Sequence, residues 1–325
     1  MKKISIEILL VVLIALLSNC KEKKQKNQPD EDANHKITGV VYPQIKEKYT
    51  VIEGNKNQWD DKLVHTLSII ESPYDNEYKY WGYYGLDNYN EKNSSKKKAG
   101  LIFSNDLKKW IKYPDNPIIN DNCRWPTAIT QDSRVYLFYA QYNTAGDSRI
   151  VMQSAGDGIH FNNLTEIVAY KKGEQNQNPF IYYNLNDRFY YLFYYNGTER
   201  NNTDKHWNIM YKKAKNIDEI QNSKPVLLIT SKETMAAPSV VFYNNKYYLL
   251  VEEYQNRHKM DRWVTNAFYA HQIDGRYKRV ENNPVLADND ACALQYLLNN
   301  KLYVTYSHAL NDEKTKWNLK MIQIK

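Results

Sequence analysis

The sequence predicts an all-β fold, a five-bladed β-propeller with antiparallel blades. Five stretches of the chain repeat one pattern: a short apolar strand, a turn, and a second strand rich in tyrosine. One aromatic residue of each stretch occupies an equivalent place: Trp81, Tyr136, Tyr190, Tyr248 and Tyr303. The steps between successive members are 55, 54, 58 and 55 residues. A strand repeat of this period is typical of propellers and solenoids, and five blades that close on themselves leave a central funnel.

Tyrosine usage agrees with a sheet protein. The chain has 29 Tyr among 325 residues but only 8 Phe. Tyrosine suits half-buried strand positions where the ring packs and the hydroxyl keeps a polar partner. Strand packing explains most of these residues, and a surface that stacks on sugar rings is the alternative use of the same side chain.

The second strand of each unit is the clearest predicted element. These strands are predicted over Tyr78–Leu86, Arg134–Tyr142, Arg188–Tyr195, Lys246–Tyr254 and Lys301–His308. Turns rich in Asn and Asp precede them, which is a hairpin signal. Proline recurs near the start of three first strands, and we expect it at the first strand residue, where no ladder hydrogen bond is lost. We expect residues 37–42 to close the last blade.

Two outer turns contain an aspartate that we interpret as structural. Asp106 and Asp157 each follow a predicted third strand, Ala99–Ser104 and Ile150–Ser154. A carboxylate in such a turn most simply accepts hydrogen bonds from turn amides.

The first 20 residues resemble a lipoprotein signal peptide. Two lysines precede the apolar run Ile8–Leu17, which is short for a membrane span, and Leu17–Cys20 resembles a bacterial lipobox whose cysteine is lipidated. The alternative is an ordinary signal peptide with a chance cysteine. Residues 21–36 are polar and predict a disordered tether, and residues 37–325 predict the propeller. A bacterial cell-envelope protein, anchored through lipid on Cys20 to the outer membrane or cell surface, is the expected localisation.

Charge and motifs exclude several function classes. The net charge is +7, but Lys and Arg are scattered, so we expect no nucleic-acid partner. Phosphate loops, Cys-x-x-Cys pairs and metal-ligand spacings are missing from the sequence, so no cofactor or metal is expected. Cys123 and Cys292 come from units that are not neighbours, which favours two buried free thiols over a disulfide.

Several local motifs together resemble the five-bladed propeller glycosidases of glycoside hydrolase families 43, 32 and 130. The resemblance spans about residues 55–325. The residues that carry it are Trp125-Pro126, Asn178-Pro179-Phe180, Ala237-Pro238, the run from Ser104 to Trp110, and the Asn-Pro pairs at 116–117 and 283–284. It implies the propeller fold and a carbohydrate ligand or substrate in the funnel.

The resemblance also implies three acidic positions that this chain does not keep. In family 43 a base, an auxiliary aspartate and an acid stand close to the prolines of the first, third and fourth units. The corresponding positions here hold His65, Asn178 and Ala236. The family's catalytic set therefore does not transfer directly.

Other carboxylates are predicted to converge at the funnel mouth, because the first strands begin there and the second strands end there. The candidate acids are Asp60, Asp61, Asp121, Glu174, Glu233, Glu252, Glu253, Asp288 and Asp290. Among them, Asp60, Asp61, Glu174, Glu233, Glu252 and Glu253 are the candidate catalytic residues. Each has an alternative as a solvated or ion-paired acid, and one of Glu252 and Glu253 is expected to be buried with a raised pKa.

Polar and aromatic side chains near the same mouth are candidate sugar contacts. The predicted binding residues are Trp59, His65, Arg124, Trp125, Asn178, Asp290 and His308. His65 and Trp125 have structural alternatives, as a hydrogen-bonded strand histidine and as plain packing.

Two functions remain open from the sequence. The first is a glycoside hydrolase or related enzyme, in which one carboxylate of Asp60 and Asp61 activates water and a glutamate of the third or fourth blade protonates the leaving oxygen. The second is a glycan-binding or scaffold lipoprotein on the same fold, without catalysis.

Overall fold

Twenty β-strands form the described part of the chain. The computed structural model describes residues 39–56, 58–61, 63–86, 97–199, 205–231, 234–254, 263–287, 289–311 and 313–324. The strands are β1 Ile45–Glu53, β2 Val64–Glu71, β3 Tyr80–Leu86, β4 Ala99–Ser104, β5 Ile111–Lys112, β6 Arg124–Gln131, β7 Arg134–Tyr142, β8 Ser148–Ala155, β9 Asn162–Val168, β10 Glu174–Asn184, β11 Phe189–Glu199, β12 Lys205–Ala214, β13 Val226–Ile229, β14 Thr234–Tyr243, β15 Lys246–Tyr254, β16 Trp263–Ala270, β17 Lys278–Arg279, β18 Asp290–Leu298, β19 Lys301–Ala309 and β20 Trp317–Ile324. A short 3₁₀ helix spans Ile217–Asn222.

These strands pair into five antiparallel sheets of four, which confirms the predicted five-bladed propeller. From the inner to the outer strand the sheets are β2–β3–β4–β5, β6–β7–β8–β9, β10–β11–β12–β13, β14–β15–β16–β17 and β18–β19–β20–β1. We number the blades 1 to 5 in that order. The inner strands contact one another around a ring, in the order β2, β6, β10, β14, β18 and back to β2.

Every inner strand contains a β-bulge at the same place, centred on a non-glycine residue with positive φ. The five residues, called the bulge ring below, are Thr66 (φ 51°), Trp125 (50°), Asn178 (49°), Ala237 (47°) and Cys292 (51°). The register of each inner strand against its partner shifts at this point. A positive φ costs free energy for a residue with a side chain, so its repetition in five blades marks a property of the fold.

The bulges correct two expectations. Pro126, Pro179 and Pro238 follow the bulge residue inside the inner strand and are not its first residue, because the interrupted ladder spares a residue without N–H. In blade 1 the bulge position is Thr66, so Thr66 and not His65 is the residue equivalent to Asn178.

Three hairpin turns confirm the predicted turn chemistry. Asp132-Ser133, Asn244-Asn245 and Asn299-Asn300 each have two consecutive positive φ angles. This is the geometry of a type I′ turn, which matches the twist of the flanking strands. The second strands β7 and β15 have the predicted bounds, and the other three differ from the prediction by a few residues at their ends.

The last blade is closed by a different segment from the one predicted. Strand β1, residues 45–53, pairs with β20, whereas the described part of residues 37–42 is not a strand. Tyr42 wedges between blades 4 and 5 instead, and its hydroxyl donates to Gln295 Oε1 at 2.9 Å. Asn282 pairs with both backbone groups of Tyr42, at 2.7 and 2.9 Å. These contacts fix the N-terminal segment across the seam of the ring.

The two turn aspartates have the structural role that the sequence predicts. Asp106 Oδ1 accepts from the amides of Lys108 and Lys109, both at 2.8 Å. Asp157 Oδ1 accepts from the amides of Ile159 and His160, both at 2.9 Å. None of the helices in the described ranges is long and apolar enough to cross a membrane. Residues 1–38, with the predicted signal peptide and tether, lie outside the described residues.

Candidate functional site

The candidate site is the end of the propeller at which the inner strands begin, the second strands end and the third strands begin. We call this end the mouth. Five of the seven tryptophans lie there, one from each blade: Trp59, Trp125, Trp207, Trp263 and Trp317. Trp59 and Trp263 are half-buried, and the other three are buried.

The bulge ring closes the axis below the mouth. Trp125 of blade 2 packs with Ala237 of blade 4 and Cys292 of blade 5, so its indole crosses the axis into the space that two small side chains leave. Asn178 Nδ2 approaches Cys292 Sγ at 3.7 Å. The Trp125 indole N–H is buried and has no hydrogen-bond partner among the described residues. The floor of the mouth is therefore an aromatic ring, and none of the five bulge residues is a carboxylate.

Arg124 lies directly beside this floor. Its guanidinium stacks on the rings of Trp125, at 4.6 Å from the centroid, and Tyr142, at 4.4 Å. The side chain is buried. Both aromatic rings therefore hold the guanidinium at the floor by cation–π contact.

Glu252 is the predicted carboxylate that reaches the bulge ring. It comes from the end of β15 in blade 4, and its Oε1 accepts from the backbone N–H of Cys292 in blade 5. Burial raises the pKa of the Glu252 carboxyl to about 7, while the hydrogen bonds from Cys292 and the charge of Lys314 act in the opposite direction. Ser307, at the equivalent position of blade 5, accepts from the Thr66 amide at 3.2 Å. Because serine makes the same hydrogen bond in blade 5, the fold does not require a carboxylate at the position of Glu252.

Asp290 and His308 form a polar side-chain pair at the mouth. They face each other in the register of β18 and β19, and His308 Nδ1 lies 2.7 Å from Asp290 Oδ1. Asp290 is buried, whereas about a quarter of the His308 side chain is exposed. Because Asp290 engages Nδ1, the other ring nitrogen is the one left for a proton or a ligand. Sequence reasoning named both residues but not their pairing.

Asp60 lies on the outer side of blade 1 and is held by the fold. Its Oδ2 accepts from Lys112 Nζ at 2.6 Å and from the Tyr84 hydroxyl at 3.0 Å. Trp59 stacks on Tyr84 with ring centroids 5.6 Å apart. The neighbouring Asp61 is half-buried. The structure thus ties Asp60 to an ion pair with Lys112 of the outer strand β5.

Glu253 points away from Glu252, because adjacent strand residues face opposite sides of the sheet. It is buried on the side of blade 3, where Arg279 and Asn266 donate to its Oε2. The Glu253–Arg279 ion pair gives Oε2 a structural role, whereas Oε1 is buried without a hydrogen-bond partner among the described residues. The two glutamates therefore lie in different clefts.

Glu174 also has local partners. Lys171 donates to its Oε1, and Asn196 Nδ2 donates to its Oε2 at 3.2 Å. Asp121 is exposed on a loop before blade 2. Two further predicted acids, Glu233 and Asp288, lie outside the described residues.

His65 lies at the mouth between blades 1 and 5. Its ring is 5.6 Å from that of Trp317, and its Nδ1 lies 3.2 Å from the Thr66 hydroxyl. Cys123 and Cys292 are buried free thiols, which confirms the prediction against a disulfide. Within the described ranges, no group of three or more His, Cys, Asp and Glu side chains could hold a metal ion.

Sequence reasoning missed three polar side chains between blades 4 and 5. Thr265, Tyr306 and Asn318 are buried, and Thr265 Oγ1, Tyr306 Oη and Asn318 Oδ1 have no hydrogen-bond partner among the described residues. No sequence pattern marks a polar atom as unpartnered, because that depends on packing between blades. Trp207, Trp263 and Trp317 were also missed, although each stands near the start of a third strand and could have been found by aligning the repeats.

Comparison with solved structures supports the fold. A thermostable family-43 glycoside hydrolase matches with a TM-score of 0.64 and 14% identity, over 85% of this chain and 92% of that one. An endo-arabinase from Bacteroides thetaiotaomicron matches at 0.59 and 15%, over 85% and 97%. An N-acetylgalactosamine deacetylase from F. plautii, solved with blood group B trisaccharide, matches at 0.66 and 12%, over 86% and 95%.

Sequence comparisons add nothing to this result. No protein-family model matches the chain, and no curated protein matches it significantly. Identities of 12 to 15% establish a shared architecture and leave chemistry to be argued from the site. The chain is a five-bladed β-propeller of the structural type found in family-43 glycoside hydrolases and similar carbohydrate-active proteins.

Proposed function

We propose that this protein binds a saccharide at the mouth of its propeller. The observation that carries the proposal is that each blade places one tryptophan at that end, where Trp125 forms the floor and Trp59 and Trp263 are half-buried. Aromatic rings offer apolar faces to the C–H faces of sugars, and ligand sites combine such rings with a few fixed polar groups. Arg124 and His308 supply polar groups of this kind.

Solved neighbours act on or contain carbohydrates, which supports the same class of ligand. Their names include a family-43 glycoside hydrolase, an endo-arabinase and a complex with a blood group trisaccharide. The binding proposal does not depend on the acids that the family-43 resemblance implies, since this chain has Thr66, Asn178 and Ala236 at those positions.

A binding screen tests the proposal directly. The full-length protein is titrated by calorimetry with arabinotriose, xylotriose and the blood group B trisaccharide. The variant Trp263→Leu should weaken binding about tenfold, because it removes a half-buried ring at the mouth. Its matched control is Trp110→Leu, which removes a half-buried tryptophan that precedes the outer strand of blade 1. A screen of neutral and acidic glycans without any binding would contradict the proposal.

Hydrolysis is a second candidate, favoured by the state of Glu252. A carboxyl with a pKa of about 7 can donate a proton to a leaving glycosidic oxygen at neutral pH. As that C–O bond breaks, water bonds to the anomeric carbon and gives its proton to a base, for which His308 backed by Asp290 is available. Glu252 and the His308–Asp290 pair both lie beside β18. Glu252 accepts from the backbone amide of Cys292, and Asp290 stands two residues before Cys292 in that strand.

An assay for new reducing ends separates the two candidates. If the protein hydrolyses a glycan, Glu252→Gln should lower kcat by about 100-fold or more while binding persists. Glu253→Gln is the comparison, because Glu253 faces the opposite cleft and pairs with Arg279. Binding without any release of reducing ends leaves the first proposal and removes the second.

The cell-envelope location is part of the same proposal. A lipidated Cys20 would hold the propeller at a bacterial membrane through the tether of residues 21–36, which suits a protein that meets extracellular or periplasmic glycans. Cys20→Ala should release the protein from the membrane fraction. Continued retention of that variant in the membrane would contradict the anchor.

A further inference from the structure

Three of the nine buried side-chain polar atoms without a hydrogen-bond partner in the described part of the chain lie at the mouth end of the cleft between blades 4 and 5. They are Thr265 Oγ1, Tyr306 Oη and Asn318 Oδ1, and their residues are 1%, 0% and 3% exposed. Folded proteins pair almost all buried polar groups with protein or water, and each exception needs an explanation. Three exceptions in one cleft indicate a polar partner that belongs there.

Strand register places these residues together with the acidic groups of the site. On blade 4, Thr265 stands opposite Glu252 in the register of β15 and β16. On blade 5, Asp290, His308 and Asn318 form one row across β18, β19 and β20.

Both rows face the same cleft. Tyr306, two residues before His308 on the same face of β19, packs in one cluster with Leu250 and Ala267 of blade 4. We call the six residues the cleft cluster: Glu252, Thr265, Asp290, Tyr306, His308 and Asn318. The cluster joins two hydroxyls, an amide oxygen, two carboxyls and an imidazole.

The same pair of faces does not close completely further from the mouth. Leu250 and Val304, two residues before Glu252 and Tyr306, line a groove of about 250 Å³ together with Tyr42 and Ile322. Blades 4 and 5 therefore leave a space between them at this level of the ring.

We propose that the cleft cluster binds two adjacent hydroxyls of the saccharide, through Thr265, Tyr306 and Asn318. This inference rests on the proposed saccharide binding and adds the place where the sugar is recognised. A vicinal diol fits the set of atoms, because one sugar O–H donates to Asn318 Oδ1 while a sugar oxygen accepts from the Thr265 or Tyr306 hydroxyl. The Glu252 carboxyl, already bonded to the Cys292 amide, borders the same space.

Isosteric substitutions separate ligand recognition from a structural role by the sign of their effect. Thr265→Val and Tyr306→Phe remove a hydroxyl that has no described partner, so the melting temperature of the free protein should stay the same or rise. Each change should weaken binding of the tightest trisaccharide by about three- to tenfold. Calorimetry and thermal unfolding of the full-length protein give the two readouts.

Matched controls come from satisfied hydroxyls elsewhere in the ring. The Tyr83 hydroxyl donates to the Gly158 carbonyl at 2.9 Å, and Thr305 Oγ1 donates to the Leu67 carbonyl at 2.7 Å. Tyr83→Phe and Thr305→Val should lower the melting temperature and leave the Kd unchanged, because they break hydrogen bonds away from the cleft.

The outcomes distinguish this site from the broader proposal. If the wild-type protein binds a saccharide and Thr265→Val and Tyr306→Phe bind it with the wild-type Kd, the cleft site is overturned and saccharide binding stands. If the wild-type protein binds no saccharide, both are overturned. A crystal structure of the complex with only ordered water at these three atoms would also overturn the cleft site.

Discussion

Replacing Glu252 by glutamine should remove a specific pH dependence of stability. Glu252 is buried between blades 4 and 5, and burial raises the pKa of its carboxyl from 4.5 to about 7. The folded protein therefore binds more protons than the unfolded chain between these values. This contribution to stability is present below pH 4.5 and is lost as the pH rises through 7.

The size of the effect follows from the two pKa values. One pKa unit corresponds to about 1.4 kcal/mol, so the free energy of unfolding of the wild type should fall by about 2.5 kcal/mol relative to Glu252→Gln between pH 5 and pH 8. The glutamine carbonyl can still accept from the Cys292 amide, so the fold keeps this bond.

Urea unfolding of both proteins at pH 5, 6, 7 and 8 measures the difference. Glu47→Gln is a useful control, because the hydrogen bond from Lys108 lowers the pKa of the Glu47 carboxyl below its usual value of 4.5, so this group is ionised throughout the range and its variant should run parallel to the wild type. Parallel pH profiles for wild type and Glu252→Gln would refute the reasoning, since they would mean that the carboxyl titrates alike in the folded and unfolded chain.

Three further predictions concern the stability of the ring. Burial lowers the pKa of Lys212 to about 8, so wild-type stability should rise by about 2 kcal/mol between pH 7.5 and 9.5 relative to Lys212→Met; urea unfolding at both pH values checks this, and equal slopes would contradict it. Asn282→Ala removes the side chain that bonds both backbone groups of Tyr42 and should lower the free energy of unfolding by about 1–3 kcal/mol. An unchanged melting temperature in calorimetry would show that the contact between Tyr42 and blades 4 and 5 does not depend on these two hydrogen bonds. Trp125→Ala should cost about 3–5 kcal/mol through the cavity left on the axis, and a loss below about 1 kcal/mol in denaturant unfolding would mean that the indole does not fill it.

The repeat in the sequence was sufficient to predict the blades. Alternation of buried and exposed residues, tyrosines at a fixed place and turn residues with positive φ are local properties, so they can be read from the chain. The turn Asn299-Asn300 and the strand Arg134–Tyr142 illustrate this, because neighbouring residues alone decide both.

The bulge ring could not be predicted in the same way. Thr66, Trp125 and Cys292 have unrelated side chains, and none of them prefers a positive φ. What holds them there is the contact between inner strands around the axis. The closing strand β1 was placed too early for a similar reason, since its partner β20 lies at the other end of the chain.

Orientation of the acids was the part of the site that sequence reasoning could not determine. Asp60, which the sequence offers as a base, is held by Lys112 and Tyr84 on the outer side of blade 1. Glu252 and Glu253 are adjacent in sequence and face different clefts, with different partners. A bulge of one residue changes which side chain points to the axis, so spacing along the chain does not fix convergence in space.

A crystal structure of the full-length protein with its tightest-binding saccharide tests the central claim most directly. We predict electron density for a sugar ring at the mouth, above Trp125, with two adjacent hydroxyls within hydrogen-bond distance of Thr265, Tyr306 or Asn318. A saccharide found on the outer faces of the blades or at the opposite end of the ring would contradict the claim.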